Sequence, residues 1–188
     1  MRKIPLYLPT ILMSLVVSGQ SDCSFDDWSV SFDSAGLSKC SNDNMYVTGF
    51  DRSGNTVDDG IYHLEGAQCC SAQPSYESSL PETVVVDWRF VLTDNDRWAT
   101  CPDGYFLQGL FRSDSWPGYL QNIEQGLCAK PVGHPDNYGS CYDEDITLCF
   151  DDDGLCGCLE DYYITGIYRG SCNKLMCIET LKCCTMAE

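Results

Sequence analysis

Residues Cys101–Cys128 read CPDGYFLQGLFRSDSWPGYLQNIEQGLC, and the chain repeats their pattern twice more. Upstream, Cys40–Cys70 reads CSNDNMYVTGFDRSGNTVDDGIYHLEGAQCC; downstream, Cys158–Cys184 reads CLEDYYITGIYRGSCNKLMCIETLKCC. Each copy opens on a Cys, runs through aromatic and aliphatic residues to a Gly, and places an Arg three residues later. Each closes with a Glu and, four residues on, a Cys. The matched sets are Cys40/Cys101/Cys158, Gly49/Gly109/Gly166, Arg52/Arg112/Arg169, Glu65/Glu124/Glu179 and Cys69/Cys128/Cys183. A period of this length marks one supersecondary unit used three times.

The repeated unit reads as β-structure. MYVTGF, GYFLQGLF and YYITGIY are short, aromatic and β-branched, and the internal Gly points to a bulge or a close backbone approach. A second strand in each copy carries the Glu and the closing Cys, after the turn-forming stretches SGNTVDDG, SDSWPG and GSCN. Val84–Leu92 (VVVDWRFVL) reads as one further strand, and no window keeps a long 3.6-residue period. The expected fold is all-β with little helix: three disulfide-closed units, near 23–70, 84–131 and 141–184, packed pseudo-threefold around a shared core.

Residues 1–19 carry Arg2 and Lys3, an apolar run and the small pair Ser18-Gly19, the layout of a secretory signal peptide. Residues 20–188 then form a single secreted domain. Fourteen cysteines fit an oxidising compartment and seven cystines. Cys23 precedes Cys40 by 17 residues and Cys141 precedes Cys158 by 17, and both of these units end on a Cys pair. In the middle unit that upstream slot falls on Val84, and Ala129 follows Cys128, so both extra cysteines are missing together. Joint absence indicates the bonds Cys23–Cys70 and Cys141–Cys184, with Cys40–Cys69, Cys101–Cys128 and Cys158–Cys183 inside the motifs. Adjacent cysteines remain free to trade roles within Cys69/Cys70 and Cys183/Cys184. Cys149–Cys156 and Cys172–Cys177 take up the remainder. Closing loops of roughly 25–50 residues contributes about 3–4 kcal/mol each in the chain-entropy model.

The formal charge is −17, and loss of Arg2 and Lys3 makes it two units more negative. Such a chain does not hold nucleic acid through phosphate contacts, which need Lys and Arg. It favours cations, basic partners or charged mineral. Asp143-Glu144-Asp145 and Asp151-Asp152-Asp153 offer weak calcium or mineral contacts, without the spacing or terminal Glu of a calcium-binding EF-hand. Arg52/Glu65, Arg112/Glu124 and Arg169/Glu179 are expected to face across their hairpins as structural ion pairs. Trp116 and Tyr119, in the most divergent loop, offer aromatic surface to a sugar ring or a partner chain. The two histidines, His63 and His134, lie in different segments, and the usual hydrolase and phosphate-binding motifs are missing. The expectation is a protein without catalytic activity or cofactor, apart from weakly held calcium, and without a membrane span.

These residues resemble the dermatopontin family of secreted, tyrosine-rich matrix proteins. The likeness is carried by Trp28 and Trp88, Met45–Arg52-Ser53, Cys101–Arg112-Ser113, Tyr162-Tyr163-Ile164-x-Gly166 and the Cys-Cys endings. The family's Asp-Arg-x-Trp before each closing strand is replaced here by segments such as Asn122-Ile123-Glu124 and Cys177-Ile178-Glu179. The resemblance implies an architecture and a setting: connective tissue or a calcified shell, with matrix polymer, protein or mineral as partner. The competing expectation is a secreted lectin-like or defence protein that binds glycans through its inter-strand loops.

Overall fold

The computed structural model describes residues 22–54, 59–76, 80–113 and 118–188. The expected leader, 1–19, lies outside them. Strand accounts for 51% of the structure and helix for 8%. In chain order the elements are β1 (Cys23–Asp27), β2 (Gly36–Lys39), β3 (Met45–Arg52), β4 (Leu64–Ser71), β5 (Pro81–Asp87), β6 (Arg97–Thr100), β7 (Phe106–Arg112) and β8 (Ile123–Pro131). Then come β9 (Tyr138–Asp145), the single-turn α1 (Thr147–Phe150), β10 (Gly154–Gly157), β11 (Tyr163–Arg169) and β12 (Ile178–Met186). They form three four-stranded antiparallel sheets, ordered β1-β4-β3-β10, β2-β7-β8-β5 and β6-β11-β12-β9.

Each sheet takes three strands from one sequence repeat and its fourth from another. The first repeat gives β2 to the second, the second gives β6 to the third, and the third gives β10 to the first. The repeated glycines permit this exchange. A Cβ on Gly49 would lie 2.9 Å from the Cys156 carbonyl oxygen, and one on Gly109 2.5 Å from that of Ser38. On Gly166 it would lie 3.1 Å from the Ala99 oxygen. The incoming backbone occupies the space a side chain would need. Each of these glycines also follows a register shift against the closing strand, between Val47/Gly49, Leu107/Gly109 and Ile164/Gly166. The bulged residue then holds the incoming chain. Cys158 N–H donates to Thr48 O (2.8 Å), Cys40 N–H to Gln108 O (3.0 Å) and Cys101 N–H to Thr165 O (2.8 Å).

The strand expected over Val84–Leu92 stops at Asp87. Trp88 N–H donates to Glu124 O (2.8 Å) and Leu92 N–H to Trp88 O (2.9 Å), which turns the chain into the core. Trp28 with Phe32 and Ile146 with Phe150 do the same in the other two repeats. All six of these side chains are buried in one cluster, together with Ile61, Leu120 and Leu175. Burying an aliphatic or aromatic side chain of this size contributes about 1.5–3 kcal/mol. A smaller cluster packs Tyr46, Phe106 and Tyr163 edge-to-face, with ring centroids 5.5–5.8 Å apart.

The seven cystines join Cys23–Cys70, Cys40–Cys69, Cys101–Cys128, Cys141–Cys184, Cys149–Cys156, Cys158–Cys183 and Cys172–Cys177. The first four and Cys158–Cys183 are the pairs that comparison of the copies gives, and Cys149–Cys156 and Cys172–Cys177 are the pairing expected for the remaining four cysteines. One detail of that comparison is corrected. Cys23 lies opposite Cys70 and Cys141 opposite Cys184, whereas Ala129 lies opposite Thr83, not Val84. The middle repeat has one residue more between its lead strand and Cys101, and Asp96, with φ +55°, lies in that longer turn. Counting back from Cys101 therefore lands one position late.

Candidate functional site

The repeated arginines do not pair with the repeated glutamates. Arg52, Arg112 and Arg169 end β3, β7 and β11, with relative exposures of only 1%, 4% and 4%. Their cross-strand neighbours are Leu64, Ile123 and Ile178. Glu65, Glu124 and Glu179 are the extra residues of the bulges that follow, and their half-buried side chains leave the sheet elsewhere. Each arginine reaches the repeat that donates the fourth strand. Arg52 Nη1 donates to Phe150 O (2.5 Å), Arg112 Nη1 to Phe32 O and Arg169 Nη1 to Leu92 O. These carbonyls lie just ahead of the donated β10, β2 and β6. The charge partner of Arg52 is Asp59, and both side chains are 1% exposed. Arg169 also donates to Cys172 O (2.7 Å) and Asn95 Oδ1 (2.9 Å), and burial pulls its pKa below the ordinary arginine value. The glutamates contribute backbone carbonyls, which accept from Trp28, Trp88 and Ile146.

The loops at the far end of the hairpins interlock in the same cyclic order. Ile61 N–H donates to Gly118 O (2.9 Å), Leu120 N–H to Asn173 O (3.2 Å) and Leu175 N–H to Asp59 O (3.1 Å). Tyr119 sits in this ring with its side chain partly exposed, and its N–H donates to Asn122 Oδ1 (2.7 Å). Trp116 lies outside the described residues.

The acidic stretches separate. Asp143, Glu144 and Asp145 follow one another on the edge strand β9, so the first and third point to one face and the second to the other. Asp143 lies opposite Lys182, and Asp145 accepts Thr147 N–H (3.0 Å); the Thr147 side chain first, and then this N–H, hold its carboxyl below the usual range. Asp151, Asp152 and Asp153 fill the turn before β10, where Asp153 accepts Gly54 N–H (3.1 Å). Burial, then the neighbouring Asp153 and Glu65, push the Asp51 carboxyl up. A further group, Asp26 with Cys40 and Cys69, has both sulfurs tied into one cystine, so a single carboxylate remains there.

Ser53 Oγ stands 3.0 Å from His63 Nδ1 and donates to Glu65 Oε1 (2.6 Å). In a nucleophilic relay the imidazole sits between hydroxyl and carboxylate and takes the hydroxyl proton. Here the hydroxyl is in the middle and its proton is directed to the carboxylate. The second repeat places Ser113, Asn122 and Glu124 at the same positions, with Asn122 Nδ2 3.4 Å from Ser113 Oγ. Hydrogen bonding within the turn accounts for both sets.

The strand exchange leaves a groove over each sheet, beneath the loop that follows the donated strand. Over the first sheet the cavity is about 250 Å³, with Thr48, Gln68 and the Cys23–Cys70 cystine on one wall and Leu159–Tyr163 on the other. Over the second sheet it is broader and more open, with Lys39, Asp43 and Gln108 in its lining. Over the third it shrinks to about 110 Å³, and Lys182, Asp103 and Tyr138 line it. The sequence gives the residue types but not these grooves, because each is made from two repeats.

No family model, curated protein or solved structure matches this chain.

Proposed function

We propose that this chain is a secreted, non-enzymatic component of an extracellular or calcified matrix. Its three units form a pseudo-threefold body that presents acidic, tyrosine-bearing surface to matrix polymer, protein or mineral. The carrying observation is how the repeated residues are used. The glycines and arginines of the copies are spent on joining one unit to another, the cysteines on closing each unit, and the glutamate carbonyls on seating the lead turns. The acids that differ between copies stand on turns and sheet edges, as Asp143, Asp152 and Asp153 do. Seven cystines suit an oxidising extracellular setting, and among the described residues no helix is long and apolar enough to cross a membrane. The resemblance to the dermatopontin family points the same way.

The test is adsorption of the oxidised protein to calcium carbonate, chitin and fibrillar collagen across a salt series. Binding to one of them that falls with salt, and falls further in Asp143→Asn/Asp145→Asn, supports the reading. A folded protein that adsorbs to none of the three overturns it.

A further inference from the structure

Each sheet ends on one side in a donated strand of four residues, β10, β2 or β6, which leaves β1, β5 and β9 as the longer free edges among the described residues. β1 presents Asp26 and Asp27, and β9 presents Asp143, Glu144 and Asp145. None of these acids has an ion pair among the described residues, and unpaired charge of one sign keeps a second strand off an edge. The edge of β5 lacks that protection. Its sequence, PETVVVD, has one acid near each end, and both acids are matched by a cation. Lys130 Nζ lies 3.8 Å from Glu82 Oε2, and Arg89 Nη2 lies 2.6 Å from Asp87 Oδ2. Three valines stand between them. The seven pairs with β8 run without a register shift, so no bulge twists this edge away.

The ladder shows which groups this edge leaves over. Trp88 N–H donates to Glu124 O, and alternation back along the strand puts Val86 and Val84 in hydrogen-bonded pairs with β8. Thr83, Val85 and Asp87 then turn their N–H and C=O outward. Val85 is 58% exposed, and Thr83 and Asp87 are exposed with it. We propose that β5 is a self-association edge, which pairs antiparallel with β5 of a second copy about a two-fold axis at Val85. In that register the two Val85 residues exchange both N–H···O bonds, Thr83 meets Asp87 and Val84 meets Val86. No acid faces an acid. The second copy fits because the edge matches itself in hydrogen bonding, in apolar side chains and in charge, and the two sheets become one of eight strands. A single strand pair covers little area, and a charge of −17 on each copy repels the other, so the dimer is weak and tightens as salt screens that repulsion. Adsorption through the β9 acids weakens with salt instead, so this proposal and the matrix reading can fail separately.

The experiment is sedimentation equilibrium of the oxidised protein at low and high salt, with Val85→Pro, Val85→Lys and Phe25→Lys alongside, each checked for native near-UV circular dichroism. Proline at 85 removes an N–H that β8 does not use, so the protein's own sheet keeps its bonds. Lysine at 85 sets two like charges against each other at the centre of the pair and tests the same contact if the proline variant does not fold. Phe25 lies opposite Gln68 on β1 as Val85 lies opposite Leu127 on β5, so Phe25→Lys makes the matching change on another edge. The wild type is expected to dimerise reversibly and more tightly at high salt, and both Val85 variants should weaken the dimer about tenfold or more. Phe25→Lys should leave it unchanged. Wild-type protein that stays monomeric at about 1 mM in both salts overturns the proposal. So does a dimer that either folded Val85 variant leaves at wild-type strength, and so does one that Phe25→Lys weakens as much.

Discussion

Arg52 and Phe150 are 98 residues apart in the chain, yet Arg52 Nη1 donates to the Phe150 carbonyl at 2.5 Å. The bond fastens the turn ahead of β10 to the end of β3, and Arg112 with Phe32 and Arg169 with Leu92 make the same connection. A buried guanidinium is costly to desolvate, so its value lies in satisfying carbonyls that the incoming chain would otherwise bury unpaired.

Arg112→Met should therefore destabilise the protein although methionine suits a buried site. The Phe32 carbonyl loses its donor, at a cost of about 1–3 kcal/mol. Arg52→Met should cost more, about 3–5 kcal/mol, because it also strands Asp59 as a buried charge. Thermal unfolding with cystines intact checks the order: Arg52→Met should melt below Arg112→Met, and Asp59→Asn should recover part of the gap.

Gly109→Ala tests the strand exchange itself. The new methyl would lie 2.5 Å from Ser38 O and 2.8 Å from Lys39 Cα, both backbone atoms of β2. The edge strand must shift or detach, with an expected loss of about 1–3 kcal/mol. Hydrogen exchange should locate the damage, with protection falling for the amides of β2 in the first repeat while β8, next to the mutation in its own repeat, keeps its protection.

The middle repeat lacks the outer cystine of its neighbours, and the register shows where one would fit. Thr83 faces Ala129 as Cys23 faces Cys70 and Cys141 faces Cys184, pairs with Cα separations of 4.0 and 4.1 Å. Thr83→Cys/Ala129→Cys should form an eighth cystine and add about 2–4 kcal/mol. Val84→Cys/Ala129→Cys, the pair that counting from Cys101 would give, should not close. Peptide mapping without reduction distinguishes the two.

His134 makes stability fall in mild acid. It is 4% exposed; Nε2 accepts Ala187 N–H at 3.0 Å, and Tyr76 and Phe106 pack on the ring. Burial is the main cause holding its pKa below the ordinary 6.5; Lys130 adds to the lowering, and Asp136 and backbone bonds oppose it. A depressed histidine contributes stability that is fully present above pH 6.5 and is lost as the pH falls from there towards its folded value. Denaturant midpoints for the wild type should drop over that window, and His134→Gln should flatten the slope. An unchanged slope would assign the pH dependence elsewhere.

Five of the cystine pairs were legible because cysteines are distinct in type and either recur at matching distances or are missing together between the copies, whereas Cys149–Cys156 and Cys172–Cys177 have no counterpart to compare. The role of the repeated glycine was legible in outline, as a close backbone approach. The arginine's partner was not. Sequence spacing set it near Glu65, Glu124 or Glu179, but a bulge turns those side chains away from it, and the real acceptor is a main-chain carbonyl that leaves no mark in the sequence. The groove over the first sheet was hidden for the same reason, since Gln68 and Glu160 come to line one cavity only through the exchange.

The amino-acid sequence by itself determined the threefold repetition, the strand-rich character and the motif cystines up to exchange between adjacent cysteines, because side-chain type and local spacing are enough for those. Tertiary structure alone decided which repeat completes each sheet, where the arginines point and which groove stays open. Those outcomes depend on backbone groups brought together from distant repeats, and every residue carries the same N–H and C=O whatever its letter.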